Sequence, residues 1–256
     1  MPKISIITIN LNNKDGLEKT ILSVLSQTVK DFEFIIIDGG SNDGSIELIK
    51  KHSEYITYSV SEIDAGIYDA QNKGIEKASG NFLLFLNSGD ILYDKNTLSG
   101  ILPLLENKSF YYGNLIVDLN GKRIEHIAPD NINLDFILNS TFWHPCVFIN
   151  ANLFKKYGSY NSDFKIAGDY EFFIRCLLKP KVTCEKLNSI ITVFDGYGIS
   201  SNHAHRDIQA AEREKALRIN LSDNILESLK KYNALSRSNY LTIINFIQRI
   251  RGKQKF

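Results

Sequence analysis

Hydrophobic and polar positions alternate in blocks along the first ninety residues. Ile4-Ser5-Ile6-Ile7-Thr8-Ile9 is a β-branched run that stops at the polar turn Asn10-Leu11-Asn12-Asn13, as a strand feeding a loop does. Leu17, Ile21, Val24, Leu25 and Thr28 then recur at helical spacing. Phe32 to Ile37 is hydrophobic nearly throughout, which predicts a strand covered on both faces. Gly39-Gly40-Ser41-Asn42-Asp43-Gly44 breaks that run, and Asp43 or Ser45 is placed to cap a helix carrying Ile46 and Ile49. Tyr55 to Val60 predicts a third strand and Tyr68 to Ala78 a helix. Asn81 to Leu86 predicts a fourth strand, ending at Asn87-Ser88-Gly89-Asp90. The βαβαβαβ order implies a mostly parallel, doubly wound, Rossmann-like sheet sandwiched by helices.

The second half has a mixed pattern. Strands are expected at Phe110–Val117, Cys146–Asn150, Val182–Leu187 and Ile191–Phe194. Helices are expected at Asp135–Asn139, Asn152–Tyr157 and Asp169–Leu178, and the pattern is helical from Ala204 onward. No repeat or long Gly/Ser linker separates the halves, which predicts one body over 1–222, built from 1–110 and 111–222, with a helical extension over 223–256.

Composition narrows the picture at three points. The length of 256 residues suits one large α/β body, and a net charge of +1 argues against a bulk nucleic-acid binder. The charge is uneven, because Lys230, Lys231, Arg237, Arg249, Arg251, Lys253 and Lys255 face Glu227 alone in the last stretch. There Tyr240, Leu241, Ile244, Ile247 and Ile250 form the apolar face of an amphipathic helix, which either lies on an anionic membrane surface or packs on the body. Cys146, Cys176 and Cys184 lack metal-ligand spacing and read as reduced thiols. With no signal peptide and no apolar run of about 18 residues, the expectation is a cytoplasmic protein whose membrane contact is peripheral.

Ligands of open α/β sheets bind at the carboxyl ends of the strands. Three polar turns occupy such ends here: Thr8–Asn12, Asp38–Asp43 and Asn87–Asp90. One such turn reads as a solvated loop, but three in succession predict a nucleotide pocket. Neither a G-x-G-x-x-G nor a P-loop is present, which disfavours a Rossmann dehydrogenase and a P-loop kinase.

The residues at these turns resemble family 2 glycosyltransferases of the GT-A fold. The matching stretches are Ser5–Thr8, Ile36–Ser45, Asp64–Gly74, Leu86–Asp90 and Ala167–Glu171, in the order that the family requires. The resemblance implies an inverting, metal-dependent hexosyl transfer from a UDP-sugar to a saccharide acceptor, lipid-linked at the inner face of the membrane, in the building of bacterial surface polysaccharide. It places Thr8, Asn10 and Asp38 around the base, with Gly39 standing where many members carry a second acid. It places Asp64 and Asn72 with the donor, and Ser88 and Asp90 at the family's Asp-x-Asp. There Asp90 alone would hold Mn²⁺ or Mg²⁺, with diphosphate and water as the other ligands. Asp169 matches the general base; without the resemblance it reads as a helix cap.

Trp143 and His144 are candidates for acceptor contact or, equally, for a packed core pair. His203 and His205 fall in a loop similar to one that follows the catalytic region in relatives and are left out of the metal set. Two other readings stay open. A nucleotidyltransferase would share the sheet and the metal carboxylate, yet Asn10-Leu11-Asn12-Asn13-Lys14 makes a poor triphosphate loop. A non-catalytic sugar- or nucleotide-binding module would have no use for both Asp90 and Asp169.

Overall fold

The computed structural model describes residues 2–196 and 203–235. Its first half is the expected alternation: β1 (Ile4–Asn10), α1 (Lys14–Leu25), β2 (Phe32–Asp38), α2 (Ser45–Lys51), β3 (Tyr58–Ser61), α3 (Ile67–Lys77) and β4 (Phe82–Phe85). A two-residue strand β5 (Ile91–Leu92) and a short helix α4 (Thr97–Ile101) follow. The second half runs β6 (Phe110–Leu119), β7 (Lys122–His126), α5 (Leu134–Asn139), β8 (Val147–Asn150), α6 (Asn152–Tyr157), α7 (Gly168–Leu177), β9 (Cys184–Asp195) and α8 (Arg206–Asn220). A further helical stretch covers 223–235. The apolar tail face from Tyr240 to Ile250, like residues 198–202, lies outside the described residues.

All nine strands join one sheet in the order β3-β2-β1-β4-β8-β6-β9-β5, with β7 paired on β6. Alternation along the first strands sorts side chains between two cores. Ile7, Ile35, Ile37, Leu83 and Phe85 pack on the face that carries Tyr68 of α3 and Phe172 of α7. Ile4, Ile6, Phe34, Ile36 and Leu84 face Leu17 and Ile21 of α1. Each such side chain contributes roughly 1.5–3 kcal/mol when fully buried. Gly74 lets α3 press onto β1, since a Cβ there would come within 2.5 Å of Ile7 Cγ2.

Parallel pairing holds β3, β2, β1 and β4 together, and it recurs between β6 and β9. The second half is otherwise antiparallel: β8 runs against both β4 and β6, and β5 against β9. The two strands expected at Val182–Leu187 and Ile191–Phe194 are one strand. It shifts register against β6 around Gly113, where a Cβ would meet Ile191 Cγ1 at 2.7 Å. The third strand starts at Tyr58 because Ser53–Tyr55 forms a 3₁₀ turn first. Gly44, at φ +93, takes the cap position of α2, and Asp43 instead accepts from the Ser45 amide and hydroxyl. No helix among the described residues is long and apolar enough to cross a membrane.

Candidate active site

Parallel register brings the ends of β1 and β2 level, Asn10 opposite Asp38. Asp38 is wholly buried and accepts four hydrogen bonds. Asn10 Nδ2 (2.8 Å) and Ser41 Oγ (2.6 Å) donate to Oδ1, and the Ser41 amide (2.9 Å) and Ser61 Oγ (2.6 Å) donate to Oδ2. Burial raises its pKa, but the bonds from Ser41, Ser61 and Asn10 outweigh burial and hold it below the ordinary value. An ionised carboxylate offers about four acceptor positions, and all are used. Asp38 therefore shapes the turn after β2 instead of presenting a free acceptor to a base. Thr8 is likewise occupied: it is buried, and its hydroxyl donates to the Leu86 carbonyl at 2.6 Å, tying β1 to the end of β4.

The turn after β4 is gripped by α1. Asn13 Nδ2 donates to the Ser88 carbonyl at 3.1 Å, and Thr20 Oγ1 donates to the Asp90 carbonyl at 2.7 Å. The Gly89 amide closes the set on Thr20 Oγ1 at 3.0 Å. Asp90 is only 4 % exposed. Burial pushes its carboxyl up to about 8, and its Oδ1 accepts from the Asp195 amide at 3.1 Å. Asp195, at the end of β9, was not singled out in the sequence. Its Oδ2 lies 3.0 Å from where a Gly89 Cβ would stand, so its carboxylate fills the space over a residue that has no side chain.

Helix α3 joins this edge to the second half. Tyr68 Oη lies 2.6 Å from the Ile166 carbonyl and 3.1 Å from Asp169 Oδ1. One turn on, Asn72 exchanges two bonds with the Tyr160 backbone, at 2.9 and 3.0 Å. Expected to hold the donor, Asn72 instead spends its amide on the chain leading to Asp169. That chain is fixed from the other side by Glu212 of α8, whose carboxylate accepts from the successive amides of Lys165, Ile166 and Ala167 at 2.7, 2.9 and 2.9 Å. Gly168 is required beneath it, because a Cβ would reach 2.7 Å from the Tyr68 ring. α7 starts at Gly168 with Ala167 as its cap residue and no side-chain cap bond. The capping role of Asp169 is therefore absent. Its half-buried carboxylate meets the Tyr68 hydroxyl and has no salt bridge among the described residues.

His144 is half-buried. Its ring stacks on Phe85 at 4.7 Å, and Nε2 lies 2.8 Å from Tyr160 Oη. Burial lowers its pKa, against an opposing pull from Asp169. Trp143 meets His126 edge-on at 5.8 Å beside the crevice lined by Tyr112 and Phe136.

The family model described as glycosyl transferase family 2 matches residues 5–160. The chain belongs to that family. An uncharacterized glycosyltransferase of Mycobacterium tuberculosis is 33 % identical over 219 residues, spanning 82 % of this chain and 80 % of its own length. Solved structures with the same fold include S. aureus TarS in complex with UDP-GlcNAc (TM-score 0.60, 18 % identity, 75 % of this chain). This chain spans 58 % of that structure. The mannosyltransferase PcManGT of Pyrobaculum calidifontis, in complex with GDP-Man and Mn²⁺, aligns with TM-score 0.64 at 15 % identity, over 85 % of this chain and 64 % of its own.

In this glycosyltransferase the matched residues cover the three strand-end turns, while Asp169, Asp195 and Glu212 fall beyond them. The donor set at the turn after β4 decides what kind of cation fits. Among the described residues no group of three His, Cys, Asp or Glu side chains comes together. Asp90 and Asp195 do, and Asn87 Oδ1, on the same turn as Asp90, is buried without a hydrogen-bond partner. Mg²⁺ is commonly held by one or two carboxylates plus substrate phosphates. These residues fit an ion that arrives on a diphosphate, with Asp195 beside the Asp90 of the expected site.

Proposed function

We propose that this glycosyltransferase moves one sugar from a UDP-sugar to a saccharide hydroxyl with inversion, Asp169 serving as general base. The observation that carries the reading is Asp169 itself. It is a half-buried carboxylate at the start of α7, neither capping the helix nor paired with a cation among the described residues, on a loop clamped by Glu212 and Asn72. Structure spent on holding a carboxylate with no structural task of its own is what positioning a reacting group requires.

In the step, the acceptor oxygen attacks the anomeric carbon and its proton passes to Asp169. The bond from that carbon to the donor oxygen breaks, and the electron pair leaves on the nucleoside diphosphate. The Tyr68 hydroxyl, 3.1 Å from Asp169 Oδ1, orients the carboxylate. A divalent cation held through Asp90 and Asp195 would neutralise the charge growing on the diphosphate. Asp38, fixed by its four donors, keeps the loop of residues 39–43 in shape for the donor.

The family resemblance extends the acceptor to a lipid-linked saccharide of a surface polymer, so the deciding assay offers free and lipid-linked acceptors alike. Nucleotide-sugars are supplied singly with Mn²⁺, and product is followed by mass spectrometry. The reading expects transfer from a UDP-sugar and its reversible loss in EDTA. Transfer from no nucleotide-sugar would remove the reading, and undiminished turnover in EDTA would remove the cation from it.

A further inference from the structure

The hairpin of β6 and β7 leaves one edge of the sheet without a neighbour. β7 pairs with β6, and no other strand among the described residues joins it. All of Lys122–His126 is exposed, Ile124 at 40 %, and Ile127 just beyond the strand is 70 % exposed. An open edge is a template for another strand, and proteins commonly blunt it with charge. Here the charges are of both signs, in the order Lys122-Arg123-Ile124-Glu125-His126.

Which backbone groups the edge offers follows from its turn. Leu119 pairs with Lys122 across Asn120 (φ +54) and Gly121 (φ +87), a two-residue loop with both members at positive φ, as a type I′ turn requires. Closing such a loop makes its flanking residues a hydrogen-bonded pair, and hydrogen-bonded and open pairs then alternate along the ladder. Lys122, Ile124 and His126 therefore spend their amides and carbonyls on β6. Arg123, opposite Asp118, and Glu125, opposite Ile116, turn theirs outward. The Arg123–Asp118 ion pair at 3.1 Å fits this parity, since side chains come closest at open positions.

We propose that β7 is a self-complementary docking edge, to which a second copy of this chain adds its own β7, antiparallel, about a two-fold axis at Ile124. In such a pair the outward-turned residues of one copy must meet those of the other. The axis can then sit at Arg123, Ile124 or Glu125. At Arg123 it sets arginine against arginine, and at Glu125 glutamate against glutamate; like charges directly opposite are destabilising. At Ile124 it sets Arg123 of each copy against Glu125 of the other, so both main-chain hydrogen bonds and opposite charges are matched on either side of the axis. Ile124 meets its own counterpart at the open position between them. Glu125 has no ion pair among the described residues, and the second copy supplies one. Arg123 can serve Glu125 and Asp118 together, because its guanidinium carries five donors. Two short strands bury less than the ~1,200 Å² of a standard interface, so the dimer is weak and depends on concentration.

The test is sedimentation velocity of the full chain from micromolar to millimolar concentration, where the wild type should show a monomer–dimer equilibrium. Arg123→Glu and Glu125→Arg each place like charges opposite one another, and each should weaken the dimer roughly tenfold. Mixed together, the two variants set glutamate against arginine at every charged position and should pair with each other as tightly as the wild type pairs with itself. Arg123→Glu also faces Asp118 within its own hairpin, so melting temperature checks that each variant is folded, and a second measurement does not depend on it. The Cα atoms of an open antiparallel pair lie about 4.5 Å apart, within the range that a disulfide spans. Ile124→Cys should therefore form a covalent dimer on mild oxidation, and adding Glu125→Arg to it should slow that cross-linking. A wild type that stays monomeric at millimolar concentration overturns the proposal. So do single charge variants that dimerise like the wild type, a mixture no tighter than its components, and cross-linking indifferent to the charge at position 125.

Discussion

The two halves of the molecule build their parts of the site by different means. In the first half, each of three parallel strands ends in a short polar turn, and neighbouring turns bond to one another: Asn10 to Asp38, the Ser88 amide to the Ile9 carbonyl. Local sequence makes the turn, and register places it. In the second half, the loop that leads into α7 is built differently. It is held by partners far along the chain, Asn72 from one side and Glu212 from the other. The first arrangement survives as long as the sheet does. The second can be loosened one hydrogen bond at a time without disturbing the core, so a variant there should separate turnover from stability and from donor binding.

The largest separation is expected at Asp169. Asp169→Asn keeps the shape and cannot take a proton, so turnover should fall by ~10²–10⁴-fold, with UDP affinity and melting temperature unchanged. A variant that also lost UDP binding would move Asp169 to the donor half. Asp38 should show the opposite behaviour. Asp38→Ala strands the Ser41 amide, the Ser61 hydroxyl and the Asn10 amide, and at about 1–3 kcal/mol per unpaired buried group the loss of stability should exceed 2 kcal/mol, with donor binding lost alongside it. Because the folded carboxyl is held below its ordinary value, its contribution is present above the unfolded pKa. It disappears as pH falls through the folded one. Asp38→Asn should therefore shrink the acid limb of the wild-type stability profile; an unchanged limb would assign it elsewhere.

Glu212→Ala is expected to cost about 1–3 kcal/mol and to lower turnover at saturating donor more than it weakens UDP binding. Equal loss in both would mean that α8 supports the whole body and not the loop. Asn72→Ala, with two bonds to one residue, is the mildest change: about 1 kcal/mol and a few-fold in turnover. If it weakened UDP binding instead, the sequence-based placement of Asn72 with the donor would be restored.

The same contrast explains what could be read from the sequence. β1 through β4 announce themselves by hydrophobic runs with polar ends, and α3 and α7 by their apolar spacing, so these elements were legible, whereas Asp169 was singled out only through the family resemblance. β7 was not, because all of Lys122–His126 is exposed at the sheet margin and no alternation marks it. β5 is two residues long, and the break expected within β9 is a register shift forced by Gly113. Asp195 and Glu212 carry no local signal either. Their roles come from where β9 ends and how α8 packs, which only tertiary structure supplies. Nor does the Asp-x-Asp resemblance show what surrounds Asp90, whose carboxyl is buried against the Asp195 amide.

A single displacement assisted by Asp169 is tested most directly by the stereochemistry of the product. With the donor that the nucleotide-sugar panel identifies, the anomeric proton of the first product formed is read by NMR before any equilibration. One displacement has no covalent glycosyl intermediate to restore the starting configuration, so an α-linked donor should give only a β-linked product. A product of retained configuration would contradict the account.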